Sequence, residues 1–250
     1  MKPQSLRPCD VFEFHGTSWI GKAIRLFDGG DHNHSAIWTG EGLAEAAPEG
    51  FVLHSLDHAI GDGDEWVDIY RPVQFVDGSF ITIGDSDFPA QPVLDRIKHY
   101  LDEGDRYSFE QLVLLALVCE VRRIAGGPLS VRMFADKLAE AALDAFGKIN
   151  IIGLLSDMAS KGKEPLICSE SVYRCLSEAG PDYQPVILPE SMHAIYRTAK
   201  PVDGILAIYN SLRADSTGIN PNFVTPHDLC MSPSLMYIDR LEFKHLKATY

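Results

Sequence analysis

Leu166-Ile167-Cys168-Ser169-Glu170-Ser171-Val172-Tyr173-Arg174-Cys175-Leu176 carries a structural signal and a chemical one. Pro165 interrupts what precedes it. Apolar residues then recur at positions 168, 172, 175, 176 and 179 until Gly180-Pro181 ends the pattern, which predicts a helix opening at Cys168. The first helical turn has N–H groups without intrahelical partners and the positive end of the helix dipole, and both favour a thiolate. The same N–H groups suit the oxyanion that forms when sulfur attacks a carbonyl. Cys168 is therefore either an activated nucleophile or the first core residue of an amphipathic helix, and a base elsewhere in the chain decides between the two. Cys175 falls on the same helix face and reads as core, while Glu170 reads as a surface partner of Arg174 one turn on.

Upstream, the periodicity is that of strands. Val11-Phe12-Glu13-Phe14 alternates, and Asp31-His32-Asn33-His34-Ser35-Ala36-Ile37-Trp38-Thr39 reads as loop followed by strand. The turn Gly40-Glu41-Gly42 lets Leu43-Ala44-Glu45-Ala46 return as a hairpin arm. A two-residue loop sets Glu45 across from His34 or from Ala36, and both registers leave His34 and Glu45 on one sheet face within hydrogen-bonding range. A three-residue loop sends Glu45 to the opposite face. Further strands are expected at 51–53, 66–70 and 80–83, and helices at 93–101, 109–124 and 131–145. Apolar runs follow at 149–155 and 205–209, and Val224-Thr225-Pro226-His227-Asp228-Leu229 holds a helix cap. Strands, then helices, then the Cys168 helix indicate an α+β layout.

The 250 residues suffice for a full core, and 46% hydrophobic with 23% charged residues is an ordinary globular balance. Thirty-five acidic against 22 basic residues give a net charge of −13, which argues against nucleic acid as the main partner. The N-terminus has no apolar h-region and no small-residue cleavage site, so no Sec signal is read. A cytoplasmic product is expected, with export by a dedicated secretion machine as the alternative. The longest apolar run, Leu112 to Cys119, is too short to span a bilayer, so no membrane anchor is expected. Five widely spaced cysteines without a CxxC fit free thiols.

A thiol nucleophile needs a base and the base needs an orienting group; His34 and Glu45 supply both roles. The competing use of Asp31, His32, His34 and Glu45 is a zinc shell, with the two histidines sharing a strand face. No HExxH or paired-Cys spacing supports it, so neither metal nor cofactor is expected.

Together these segments resemble the circularly permuted branch of the NlpC/P60 papain-like superfamily, the YiiX-like hydrolases, related to the lecithin-retinol acyltransferase-like enzymes. Cys9-Asp10-Val11-Phe12 stands where that group opens on Gly-Asp. Asn33 to Ile37 resembles its His strand, Leu43 to Ala46 its polar-residue strand, Ile167-Cys168-Ser169-Glu170 its nucleophile helix, and Phe223 to Leu229 with Ser232-Pro233 its C-terminal segment. Gly104-Asp105-Arg106-Tyr107 resembles the Gly-x-x-Tyr whose hydroxyl steadies the oxyanion in relatives. Cys9 for glycine, Ser35-Ala36 for Val-Gly and a long helical insertion are departures.

The resemblance implies a single permuted papain-like domain over 1–250, with an antiparallel sheet packed on helices and a helical insertion at 90–160. It further implies a Cys168-His34-Glu45 hydrolase whose oxyanion rests on Tyr107 and the Cys168 amide. The implied substrate is an amide or peptide bond, for example in peptidoglycan, as in an antibacterial effector with an immunity protein. An acyl ester or thioester is the second substrate class. A binding protein with the same fold and no turnover is the third reading.

Overall fold

The stretch Val11-Phe12-Glu13-Phe14 lies on an inner strand of a sheet covered on both faces. The structure is a computed structural model that describes residues 5–17, 25, 29–47, 50–60, 64–103, 168–188, 221 and 224–242. In chain order these hold β1 (Val11–Gly16), β2 (His34–Trp38), β3 (Leu43–Ala47), β4 (Gly50–His54), α1 (Leu56–Ala59), β5 (Asp64–Val76) and β6 (Ser79–Thr82). They continue with α2 (Gln91–Glu103), α3 (Cys168–Ser177), α4 (Pro226–Cys230) and β7 (Leu235–Glu242).

The seven strands form one antiparallel sheet of order β4-β3-β2-β1-β5-β6, with β7 also on β5. The 13-residue β5 is long enough to pair β1 along its first part and β6 along its last. Alternation sorts the side chains. Val11, Ile37, Ala44, Ala46 and Tyr70 pack with Val93 and Ile97 of α2, Val172 and Leu176 of α3, and Leu229 of α4. Phe12, Phe14, Ala36, Leu43, Val67 and Ile69 form a second cluster, against which Leu56 and Ala59 of α1 and Leu241 of β7 pack. Full burial of a phenylalanine such as Phe12 contributes roughly 1.5–3 kcal/mol, which makes β1 the keel of both layers.

Residues ahead of β1 lock it in place. Cys9 holds φ at 72°, a left-handed conformation that favours glycine. Its N–H donates to Trp38 O at 2.6 Å, and Trp38 N–H donates to Asp10 O at 2.8 Å. The fully buried Asp10 carboxylate takes a bidentate pair from Arg71 at 2.7 and 2.8 Å.

The α+β layout and the strands read from β1 to β6 stand as expected, and the helix at 93–101 runs over Gln91–Glu103. The helix cap at Thr225 is a full capping box with Asp228. β7 is the strand that reading the sequence left out. Its register slips between Ile69↔Asp239 and Tyr70↔Tyr237, and that irregularity removes the clean alternation by which a strand is recognised. The expected helices at 109–124 and 131–145, the runs at 149–155 and 205–209, and most of the 90–160 insertion lie outside the described residues. Among the described residues no helix is long and apolar enough to cross a membrane.

Candidate active site

β2 and β3 pair at Ile37↔Ala44 and Trp38↔Leu43, joined by residues 39–42. Thr39 closes that loop: its N–H and hydroxyl both donate to Gly42 O at 2.9 Å. The loop has an even number of residues, so the parity is that of the two-residue hairpin. Continued, the register sets Glu45 across from Ala36 and on the face of His34. His34 Nε2 donates to Glu45 Oε2 at 2.5 Å. The His34 ring also packs on Phe14, with centroids 5.3 Å apart, which limits its rotation.

Glu45 serves a second imidazole. Leu43↔His54 pairing puts His54 on the same face, and its Nδ1 donates to Glu45 Oε1 at 2.7 Å. His58, in α1, packs against its ring at a tilt, with centroids 4.2 Å apart. Reading the sequence passed over His54. Strand parity carried from β3 to β4 sets His54 on the face of Glu45.

The helix that opens at Cys168 packs on β2 and β3 and brings the sulfur to His34. With Nε2 taken by Glu45, Nδ1 is the ring nitrogen left for the thiol, and Cys168 and His34 lie close enough for each to act on the other's proton. Burial by itself would push the Cys168 thiol up. The His34 charge and hydrogen bond, with N–H donors from Ser35 and Ser169, outweigh it and hold the thiol below its ordinary range. Burial would likewise lower His34, yet the charge and hydrogen bond of Cys168, then those of Glu45, raise it well above an ordinary imidazole. Glu45, pushed up by burial, is brought below the usual carboxylate range by His34 and His54. All three shifts favour a thiolate–imidazolium pair steadied by a carboxylate. Cys168 is only 3% exposed, whereas the His34 side chain keeps 26%, so access is from the imidazole side.

The start of α3 is anchored to the rest of the fold. Ser169 Oγ donates to Val224 O at 2.8 Å and Ser171 Oγ to Cys168 O at 2.7 Å. Glu170 corrects an expectation: it is fully buried, and its bond from Arg174 Nε at 2.8 Å is an internal ion pair, not a surface one. Cys175 is core as expected, and burial raises its thiol.

His32 and His34 do not share a strand face, because β2 begins at His34. His32 faces Asp68 and Cys230, while His34 faces Glu45 and Cys168. Among the described residues no group of three or more His, Cys, Asp or Glu side chains could hold a metal ion. Tyr107 lies outside the described residues. A sulfur at a helix N-terminus, an imidazole beside it and a carboxylate behind the imidazole form a set able to attack a carbonyl, pass the proton to a leaving group and return it. No family model matches the chain, and the search of curated proteins finds no match.

Proposed function

We propose that the chain is a thiol hydrolase of the permuted papain-like NlpC/P60 type that cleaves an amide or peptide bond. The observation that carries the reading is the series Cys168, His34, Glu45, with His34 beside the sulfur and hydrogen-bonded to Glu45, and the sulfur in the first turn of α3. Cys168 attacks the carbonyl as thiolate, and the oxyanion is met by N–H groups of that first turn. His34, as imidazolium, protonates the departing amine, then takes a proton from the water that releases the acyl-enzyme. Glu45 holds the ring. A peptide of peptidoglycan is the substrate we favour, and a protein delivered to such a target fits an effector with an immunity partner. The role assigned to Tyr107 is the second oxyanion donor.

Incubation of the full chain with purified peptidoglycan, and in parallel with acyl esters, followed by mass spectrometry tests this. Expected are new amine and carboxyl termini in the peptidoglycan arm, absent with Cys168→Ala. Release confined to the ester arm would move the substrate class to acyl esters. If Cys168 also alkylates no faster than free cysteine, the enzyme reading is lost.

A further inference from the structure

A second thiol lies in a similar chemical setting. Cys230, at the end of α4, has its Sγ 3.0 Å from His32 Nδ1. His32 Nε2 is 3.0 Å from Asp68 Oδ2, and Asp68 is buried. Arg240 donates to both Asp68 oxygens at 2.7 and 2.8 Å and lies 3.7 Å over the Trp66 ring, so the carboxylate is fixed in direction. The Tyr70 hydroxyl lies next to Cys230 on the same cleft, and burial keeps that phenol protonated, as a donor. These groups come from four places: the loop before β2, β5, α4 and β7. Packing of one element alone does not account for their convergence.

This set opens on a cleft of about 500 Å³. Its other walls are mostly apolar and aromatic, among them Val73, Phe80, Leu235, Met236 and Tyr237. Met236 and Tyr237 are 39% and 51% exposed, so the cleft is reached from solvent, and Cys230 is itself half-buried, not sealed. Among the described residues that line the cleft the one cation is Arg240, already engaged by Asp68 and Trp66.

We propose that Cys230, with His32, Asp68 and Tyr70, is a second nucleophilic centre that accepts a neutral acyl group with an apolar chain from a thioester. An imidazole beside the sulfur provides for its proton, the Tyr70 hydroxyl beside the sulfur provides a donor for the carbonyl oxygen, and the walls provide for the chain. The engaged Arg240 gives an acidic chain little in return. In the step, the bond from Cys230 sulfur to the acyl carbon forms as the bond from that carbon to the donor's sulfur breaks. The Cys230 proton passes to His32 and from there to the departing thiolate. Nothing else is consumed. The centre uses none of Cys168, His34 or Glu45, so the two sites stand or fall separately.

The test uses the full-length Cys168→Ala variant, the hexanoyl and acetyl thioesters of N-acetylcysteamine, and intact-protein and peptide mass spectrometry. Expected is one hexanoyl group on Cys230, absent with Cys168→Ala/Cys230→Ser, and loaded about tenfold or more faster than acetyl because the longer chain buries more methylenes. His32→Gln lowers the loading rate by about 10²-fold. If that variant does not fold, Tyr70→Phe keeps the ring and removes the donor, and slows loading about tenfold or more. Hexanoyl found on other cysteines, equal loading of the two chains, or a Cys230 no faster than in the urea-unfolded chain overturns the proposal.

Discussion

Glu45 joins two imidazoles, and its two partners are not equivalent. His34 touches the sulfur, while His54 occupies the other carboxylate oxygen and sets the direction of the first bond. Glu45→Gln leaves a side chain of nearly the same shape without the charge that helps His34 hold its proton. Cys168 then loses part of its counter-charge, and its thiol moves back towards the ordinary range. Alkylation of Cys168 by iodoacetamide at about pH 6 is expected to fall roughly tenfold, the effect of a one-unit shift. His54→Gln keeps a donor to Glu45 and should cost about threefold or less. Equal losses in the two variants would show Glu45 to act through packing alone. At this scale the sequence was legible where an offset rule connects residues: hairpin parity found Glu45 for His34, and helix periodicity found Cys168. It was silent on the meeting of His32 with Asp68 and Cys230, which depends on β5 and α4 lying beside one loop. The departure at position 9 has a local explanation too, since Cys9 takes up the left-handed conformation that glycine would adopt without strain.

Among elements, α3 differs most from its reading. Its apolar stripe predicts one buried face, but Cys168, Ser169, Glu170, Ser171, Val172, Tyr173, Cys175 and Leu176 are all buried. Small hydroxyls and a paired carboxylate make that possible, because each polar group can be satisfied in place. A helix buried on nearly all sides therefore need not be apolar all round, and periodicity could not show it. The pair Glu170–Arg174 then has unequal ends. Arg174 keeps Glu178 at 3.6 Å and an 18% exposed side chain, whereas Glu170 is fully buried. Arg174→Met removes the guanidinium from an inaccessible carboxylate and should cost about 3 kcal/mol. Glu170→Gln leaves the cation near Glu178 and water and should cost about 1 kcal/mol. Urea midpoints of the two variants measure this, and a reversed order would place the pair at the surface after all. β7 escaped notice for a related reason, since irregular pairing with β5 spoils the alternation that announces a strand.

For the whole molecule, pH sets specific pairs against overall charge. Glu45 and Asp68 are pushed up by burial but brought below the carboxylate range, Glu45 by His34 and His54 and Asp68 by Arg240 and His32. A carboxylate lowered on folding adds stability above its unfolded value of about 4, and that stability is lost as pH falls through the folded value. Cys168, also lowered, contributes in the same sense: fully above about pH 8.5, and lost as pH falls through its folded value. His34 is raised, so its share is fully present below about pH 6.5 and is lost as pH rises through the folded value. Below about pH 6.5 the unfolded chain carries protons on both His34 and Cys168, so as long as the lowered Cys168 stays a thiolate in the folded pair, acid favours unfolding. The net charge of −13 works the other way, because acid relieves self-repulsion. The buried pairs are little screened by salt, while repulsion spread over the surface is strongly screened. In about 0.5 M salt, where the Debye length is only a few Å, the urea midpoint should fall from about pH 6.5 to 5 and more steeply below about pH 4. Cys168→Ala should remove the first decline and keep the second, because His34 retains Glu45 and the carboxylates retain their partners. A midpoint that climbs steadily towards pH 3 in that salt would mean that neither the thiolate–imidazolium pair nor the two carboxylates govern folding.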